Sequence, residues 1–413
     1  MATPRNSHLT FVANRGVGRH GWLRLTPAYS VDLVRSEVDS LATPAVVVDP
    51  FSGTGTTALA AAEHGLVGQA IDVNPFLVWL GTVKTTNYAT YDTDEARTVA
   101  EDVVDLAARL EATAAELWLP PLHNIERWWP EGALRALAAI KHALDATSMR
   151  ATARDLLLVA FCRTLIKVSN AAFNHQSMSF KDAVAHTGSW ESAEYAATLA
   201  RYLEDATLIA DEARADLLGS AKLVLGDSRG TAPDMPLADL LLTSPPYVNR
   251  MSYIRELRPY MYWLGYLEDA VEASDLDWKA IGGTWGSATS KVGKWRPERA
   301  GTPVDDLMEP LCDAICESGA RNAPLLANYV RKYFHDMWEH FQFAQGLVRP
   351  GGNAVYIIGN STFYGQVVPA EDWYGRMLSA LGYRNVEIEN IRKRNSNKHL
   401  YEYRVSAERP SLG

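Results

Sequence analysis

The sequence predicts a mixed α/β protein with a doubly wound, largely parallel sheet. Three strand ends predict it. The apolar run from Val46 to Asp49 leads into a glycine-rich turn and then a helical segment. A second strand follows that helix and ends in Asp72, and a third, Leu237 to Leu242, stops just before two consecutive prolines that cannot continue it. Ligands bind at the carboxyl ends of strands in such sheets, so we expect a site where these three strands end.

The composition is that of a globular protein. The 413 residues are 47% apolar and 22% charged. No run of about 18 apolar residues is present, so no membrane span is expected. The amino terminus lacks the apolar core of a signal peptide, which favours a cytoplasmic protein. Nothing in the sequence indicates an oligomeric state.

The three cysteines carry little information about function. They are too few for a disulfide framework, which agrees with a reducing compartment. Cys312 and Cys316 lie one helical turn apart, a spacing that metal ligands can have. Because no second ligand pair accompanies them, a buried helical pair is the favoured interpretation and no metal is expected.

The turn after the first strand is suited to a nucleoside. Its glycines, Gly53 and Gly55, let the backbone approach a ligand, and the helix that follows offers free amides. The turn lacks the Gly-Lys-Ser/Thr ending of a phosphate loop. Asp72 lies about 20 residues further on, where a carboxylate can accept from the two hydroxyls of a ribose.

The third strand ends at Ser244-Pro245-Pro246-Tyr247. The residue before each proline is held extended, which fixes the direction of the Ser244 and Pro245 carbonyls. The Ser244 side chain and the Pro245 carbonyl can accept the two hydrogens of an amino group, and Tyr247 can stack on a planar ring. A Pro-Pro turn with a packed tyrosine is the structural alternative.

Together, Phe51-x-Gly53-x-Gly55 and Ser244-Pro245-Pro246-Tyr247 resemble the S-adenosylmethionine-dependent amino-methyltransferases of DNA. These enzymes methylate the exocyclic N4 of cytosine or N6 of adenine, and Ser-Pro-Pro-Tyr is typical of the cytosine-N4 group. The resemblance covers roughly residues 20–90 and 221–405. It implies the class I methyltransferase (Rossmann-like) fold, S-adenosyl-L-methionine as cofactor, and duplex DNA with a flipped target base as substrate. A cognate restriction endonuclease is a further partner to be expected from it.

The resemblance also implies which residues form the site. The catalytic residues are Ser244, Pro245, Pro246 and Tyr247. Asp227, at the end of another strand, is expected to accept from the adenine amino group of the cofactor, and Asn74 either lines the adenosine or only caps the following helix. The cofactor-binding residues are expected to be Thr26, Pro27, Tyr29, Asp49, Pro50, Phe51, Gly53, Gly55, Thr56, Asp72, Asn74 and Asp227.

Residues 92–220 change in character, because strand signals vanish and apolar residues take helical spacing. Four helices are predicted, at about 93–117, 132–146, 150–168 and 189–218. This helical insertion would divide the core into residues 1–91 and 221–413, and it is a candidate for target recognition. The second part is expected to contain a loop at 275–303, further helices, a strand at 353–360 and a terminal antiparallel hairpin.

Candidate DNA contacts are scattered. The net charge of −9 argues mildly against a nucleic-acid-binding protein, so local groups must supply the contacts. The first group has amide side chains of the type that read base edges, and its structural alternative is an ordinary turn. The other two groups are basic, and their structural alternative is a solvated face. The three groups are Asn170, Asn174, His175 and Gln176; Lys291, Lys294 and Arg296; and Arg392, Lys393 and Arg394.

Methyl transfer to cytosine N4 is therefore the favoured function. Three alternatives stay open: methylation of adenine N6, methylation of a base in RNA, and a non-catalytic subunit of a defence system that keeps the core as a binding module.

Overall fold

A seven-stranded sheet forms the centre of the protein in a computed structural model. The model describes residues 9–411 except 24, 26–28, 114–115, 173–178, 181–188, 231–232, 249–251, 253, 285–286, 298–300 and 395–398. Five residues of the predicted site, Thr26, Pro27, Asn174, His175 and Gln176, lie outside the described residues. The strands of the sheet are β1 (Val46–Asp49), β2 (Val67–Asp72), β3 (Ser220–Leu225), β4 (Ala238–Thr243), β5 (Val348–Gly359), β6 (Arg384–Lys393) and β7 (Tyr401–Glu408).

The strand order is β6-β7-β5-β4-β1-β2-β3. Neighbouring strands from β5 through β4, β1 and β2 to β3 are parallel, whereas β7 is antiparallel to both β5 and β6. The chain order reverses between β1 and β4, which is the switch point where such sheets bind ligands. The predicted Rossmann-like, doubly wound sheet with a terminal antiparallel hairpin is confirmed.

Helices cover both faces of this sheet. The helices are α1 (Val31–Val38), α2 (Thr56–Glu63), α3 (Pro75–Thr85), α4 (Thr90–Thr113), α5 (Ile125–Trp128), α6 (Glu131–Ala146), α7 (Ala151–Lys167), α8 (Ser189–Ala213), α9 (Ile254–Trp263), α10 (Ala270–Lys279), α11 (Ser287–Lys294), α12 (Asp305–Glu317), α13 (Ala323–Gln345) and α14 (Ala370–Ala380). Along β4, Leu240 and Leu242 pack with α1 and α2, while Leu241 packs with α13 and α14 on the other face. This alternation follows from the two-residue repeat of a strand.

The middle of the chain is helical, as predicted. Helices α4, α6, α7 and α8 correspond to the four predicted helices, whereas α5 and a two-stranded ribbon (Ala171–Ala172 with Ser179–Phe180) were not foreseen. These helices share one hydrophobic core with Phe76 of α3 and with Tyr260 and Trp263 of α9. The helical segment therefore packs directly beside the strand end that carries Asp72.

The expected loop at 275–303 is wrong for much of its length. Helix α10 runs to Lys279 and α11 spans Ser287–Lys294. Asp269 caps α10 by accepting from the backbone N–H groups of Val271 and Glu272. Val292 of α11 is fully buried, and its carbonyl accepts from Asn328 of α13. These helices were not predicted because they contain too few apolar residues to show a helical repeat.

None of the helices in the described ranges is long and apolar enough to cross a bilayer. The same ranges contain no group of three or more His, Cys, Asp or Glu side chains placed to hold a metal ion. Cys312 is buried in α12, where its thiol lies 3.5 Å from the Ala327 carbonyl, and Cys316 is half-buried.

Candidate active site

A cavity of about 280 Å³ lies at the carboxyl ends of β1, β2 and β4. It contains most of the described residues that the sequence places in the site: Tyr29, Pro50, Phe51, Gly53, Asp72, Asn74, Asp227, Ser244, Pro245, Pro246, Tyr247, Arg392 and Arg394. The predicted residues that do not line it are Asp49, Gly55, Thr56, Asn170, Lys291, Lys294, Arg296 and Lys393.

The glycine turn holds the carboxylate of Asp72 in place. The backbone N–H of Gly53 donates to Asp72 Oδ2 at 2.8 Å, and that of Asn74 donates to Oδ1 at 2.9 Å. Gly53 has a φ of 51°, a left-handed conformation that favours glycine. Burial raises the pKa of Asp72 to about 7, with the backbone bonds opposing the rise. A carboxylate fixed at a cavity wall, with lone pairs to spare, is suited to accept from hydroxyl groups.

Gly55 and Asn74 have structural roles that the sequence left open or missed. Gly55 has a φ of 75°, and a Cβ there would meet the Cα of Gly81 at 3.1 Å, so it lets the turn pack against α3. Asn74 both lines the cavity and caps α3, since its Oδ1 accepts from the Phe76 N–H at 3.0 Å.

Asp49 connects elements instead of facing the cavity. Its side chain is fully buried and accepts from Thr57 Oγ1 at 2.7 Å, Thr243 Oγ1 at 2.6 Å and the Phe51 N–H at 3.0 Å. Thr57 is in turn hydrogen-bonded to the Tyr29 hydroxyl. The carboxylate thus joins the wall that contains Tyr29 to Thr243, the residue before Ser244. Asp49 itself does not line the cavity.

Asp227 lines the cavity two residues beyond β3, the strand that pairs with β2, and it is paired with Arg229. The Arg229 guanidinium donates to both Asp227 oxygens, at 2.9 and 2.7 Å, and bonds the Lys279 carbonyl of α10. It also lies 3.1 Å from Asp336 of α13. Burial alone would raise the pKa of Asp227, but the bonds and charge of Arg229 lower it below its ordinary value. Arg229 thus ties a cavity wall to two helices.

Replacing Arg229 by glutamine should lower the free energy of unfolding by about 1.5–3 kcal/mol at pH 7, because charge-assisted bonds to Asp227 and Asp336 are lost while Asp336 keeps its ion pair with Lys332. The expected loss of stability is smaller than for a fully buried ion pair because the Asp227 side chain is 40% exposed. Asp227 has a depressed pKa, so its part of the loss is present above the unfolded pKa and fades as the pH falls below about 4. Denaturant unfolding at several pH values measures this.

Arg331 provides the matched control for Arg229. It pairs with Glu309 and Asp313, both half-exposed or more, at the surface of α13. Arg331→Gln should therefore change stability by less than about 1 kcal/mol. Equal losses for the two variants would contradict the role given to Arg229.

The Ser-Pro-Pro-Tyr segment presents acceptors to the cavity. Ser244 Oγ donates its hydrogen to the Ile357 carbonyl of β5 at 3.0 Å, so its oxygen remains an acceptor for a ligand. The Pro246 carbonyl is occupied by the Tyr333 hydroxyl at 2.6 Å. No residue that the structure describes donates to the Pro245 carbonyl.

Tyr247 is held by two neighbours that the sequence did not connect with it. Its hydroxyl donates to Glu402 Oε1 at 2.6 Å, and the Arg394 guanidinium lies 5.2 Å from the centre of its ring. Burial and then the Glu402 carboxylate raise the pKa of Tyr247 well above its ordinary value, so the hydroxyl stays protonated.

The other predicted DNA-binding residues lie away from the cavity. Lys291 forms an ion pair with Asp275 at 3.0 Å, and Arg296 donates to the Trp295 carbonyl. The Asn170 side chain lies 3.5 Å from the Arg127 carbonyl, at the ribbon in the helical segment. Lys393 is exposed. Of the predicted DNA-binding residues that the structure describes, only Arg392 and Arg394 line the cavity.

Among the residues that were not predicted, Arg229, Glu402 and His340 contact predicted residues of the site. Arg229 and Glu402 are described above. His340 of α13 packs its ring 4.6 Å from that of Phe51 and is neutral, because burial lowers its pKa to about 3. Arg229 stands only two residues after Asp227, so the sequence could have suggested that the two side chains form an ion pair. Neither Glu402 nor His340 belongs to a local motif.

One comparison with known proteins found a relative of this chain. No family model matches the chain. The chain is 19% identical to the protein named Type II methyltransferase M.BsoBI of Geobacillus stearothermophilus, over 98% of this chain and 86% of that protein. The similarity to a methyltransferase thus extends over both the sheet and the helical segment.

Proposed function

We propose that this protein is a DNA methyltransferase that transfers a methyl group from S-adenosylmethionine to the N4 amino group of a cytosine. The observation that carries the proposal is the single cavity, which joins Asp72 and Asp227 with Ser244, Pro245 and Tyr247. The first two are acceptors suited to a nucleoside, and the others suit a planar base with an amino group. The similarity to a Type II methyltransferase supports the same class of reaction.

The residues of one half of the cavity fit S-adenosylmethionine. Asp72 would accept from the ribose hydroxyls, and Asp227 from the adenine amino group through lone pairs that Arg229 does not use. Phe51, supported by His340, and the backbone of Gly53 would line the nucleoside. When bound, this cofactor supplies an electrophilic methyl group. Tyr29 lines the same cavity.

The other half of the cavity fits the amino group that receives the methyl. An amino group conjugated with its ring is a poor nucleophile. Bonds to Ser244 Oγ and the Pro245 carbonyl would favour a tetrahedral nitrogen whose lone pair points away from the two acceptors. The amino nitrogen would bond to the methyl carbon as the bond from that carbon to sulfur breaks, and the methylated nitrogen would then release one proton to water. Because a base inside a duplex cannot reach such a cavity, the target must be flipped out, and Tyr247 would stack on it.

Cytosine is the proposed base because serine is short and uncharged. It requires the amino group to approach closely, which the smaller ring allows more readily. The resemblance of Ser244-Pro245-Pro246-Tyr247 to the cytosine-N4 enzymes points the same way. N6-methyladenine is the product expected of the first alternative. An RNA methyltransferase would give methylated RNA, and a non-catalytic subunit would bind the cofactor without methyl transfer.

The helical insertion is the proposed site of sequence recognition, together with the segment containing α10 and α11. Neither belongs to the minimal sheet, and both border the cavity side of the molecule: Phe76 of α3 packs with the insertion, and Lys279 of α10 lines the cavity. A restriction endonuclease with the same recognition sequence is the proposed cellular partner.

The proposal is tested by expressing the protein in cells that lack DNA methylation. Genomic DNA is sequenced with modification detection, and nucleosides from the same DNA are separated by mass spectrometry. We expect N4-methylcytosine within one recognition sequence. N6-methyladenine as the sole product would overturn the cytosine assignment, and unmodified DNA beside methylated RNA would overturn DNA as the substrate. Cells expressing Ser244→Ala provide the matched control.

A further inference from the structure

The base end of the cavity contains a buried ion pair that the mechanism above does not use. Arg392 and Glu402 face each other directly across the β6–β7 hairpin. Arg392 donates from Nε to Glu402 Oε2 at 2.5 Å and from Nη2 to Oε1 at 3.1 Å. The side chain of Glu402 is 6% exposed and that of Arg392 is 20% exposed. Cross-strand ion pairs are common in hairpins, but both members of this one line the cavity.

Glu402 connects this pair to the proposed catalytic segment. It accepts from the Tyr247 hydroxyl as well as from Arg392. It lies opposite Gly359 in the sheet, where a Cβ would meet the Tyr247 ring at 2.9 Å. Arg392 is therefore one carboxylate away from the ring on which the target base is proposed to stack.

Two of the five N–H groups of Arg392 are used by Glu402. The remaining three have no partner among the residues that the structure describes. They include the donors at the end of the guanidinium, which form a planar fork for two adjacent acceptors. Because Glu402 fixes the guanidinium, little conformational freedom is lost when the fork is used.

We infer that Arg392 reads the edge of the target cytosine by donating to its N3 and O2 atoms. Cytosine presents an amino group, N3 and O2 in a row, which is one donor followed by two acceptors. The cavity lining includes the complementary groups, with acceptors at Ser244 and Pro245 and paired donors at Arg392. Adenine has only N1 beside its amino group, followed by a C–H that leaves one donor unmatched. This inference rests on the proposed function and adds the residue that selects the base.

Arg394 has a different position. Its guanidinium covers one face of the Tyr247 ring, and Nη1 donates to the Asn360 carbonyl at 3.0 Å. It therefore supports Tyr247 from behind and leaves the edge of the base to Arg392. Lys393, between them in the sequence, lies on the opposite face of the strand and does not line the cavity.

The test uses three DNA duplexes that differ only at the target base, in the recognition sequence found by modification mapping. The target is cytosine, 3-deazacytosine, which lacks the N3 acceptor, or adenine. Arg392→Gln, Arg392→Lys and Arg384→Gln are compared with the unaltered protein by kcat/KM. Arg384→Gln makes the same change at the exposed first residue of β6, outside the cavity, and is the matched control. Calorimetry with S-adenosylmethionine shows whether each variant keeps its cofactor half intact.

We expect the unaltered protein and Arg384→Gln to lose roughly tenfold to a hundredfold in kcat/KM from cytosine to 3-deazacytosine. Arg392→Gln should be as slow on cytosine as the unaltered protein is on 3-deazacytosine, and almost insensitive to the change of base. Arg392→Lys keeps the charge without the fork and should recover little of the difference. Adenine should be a better substrate relative to cytosine for Arg392→Gln than for the unaltered protein.

Two outcomes would overturn the inference in distinguishable ways. If the unaltered protein methylates cytosine and Arg392→Gln keeps the full difference between cytosine and 3-deazacytosine, Arg392 does not contact N3 and only the inference fails. If the unaltered protein methylates adenine and not cytosine, the proposed function fails and the inference fails with it.

Discussion

Replacing Ser244 by alanine should lower kcat for methyl transfer by on the order of a hundredfold or more. The hydroxyl donates to Ile357, so its oxygen is the acceptor that would bind the amino group and orient the nitrogen lone pair. Because this bond is needed in the reacting geometry, the loss should fall on kcat. Affinity for S-adenosylmethionine should stay within about twofold, since the hydroxyl acts on the base. Single-turnover kinetics and calorimetry measure the two effects.

Ser379 offers a matched control for this substitution. Its hydroxyl also donates to a backbone carbonyl, that of Gly375 at 2.8 Å, but it lies on α14 away from the cavity. Ser379→Ala removes a bond of the same kind and should leave kcat unchanged. A Ser244→Ala variant that keeps nearly full turnover would remove Ser244 from the proposed mechanism.

Replacing Asp72 by alanine should weaken S-adenosylmethionine binding by about 1.5–3 kcal/mol, because charge-assisted bonds to the ribose are lost. Asp239 provides the control. It also accepts a backbone N–H, that of Val46 at 2.7 Å, but at the opposite end of the sheet. Asp239→Ala should leave the affinity unchanged, as measured by calorimetry. Equal affinities for the unaltered protein and Asp72→Ala would exclude Asp72 from the site.

The raised pKa of Asp72 adds a pH dependence to this prediction. With a pKa of about 7, Asp72 gains its charge between about pH 6 and 8, and cofactor affinity should rise up to about tenfold over that range. The folded protein binds this proton more tightly than the unfolded chain, so stability without cofactor should fall as the pH rises from about 4 to about 7. Asp72→Asn should remove both effects, and it also loses one of the two backbone hydrogen bonds because its amide nitrogen cannot accept from an N–H.

The sequence predicted the strands that form the site because each ends in an unambiguous signal. The prolines 245 and 246 stop β4, Gly53 begins the turn after β1, and Asp72 ends an apolar run. The parallel arrangement of these strands then places their ends at one edge of the sheet. The four main helices of the insertion were predicted for a similar reason, since their apolar residues repeat at the helical period.

What the sequence did not predict depends on contacts between distant residues. Arg392 and Glu402 meet only because of the register of the terminal hairpin, and the sequence suggested DNA binding at the surface for Arg392. The direct cofactor role expected for Asp49 is absent because Thr57 and Thr243, which are 8 and 194 residues away, occupy its oxygens. Side-chain types identify candidates for a site, but which groups are already satisfied follows only from packing.

The position of Asp49 has a consequence for mutational scans of this protein. Its carboxylate accepts from Thr57, which is hydrogen-bonded to Tyr29, and from Thr243, which precedes Ser244. One side chain therefore connects the two halves of the cavity. A scan scored by methylation alone would rank this position beside the catalytic residues. A scan that also measures protein abundance would distinguish Asp49 from the catalytic residues. Loss of Asp49 leaves buried polar groups without partners and should lower the amount of folded protein, whereas loss of a catalytic residue should lower only the rate of methylation.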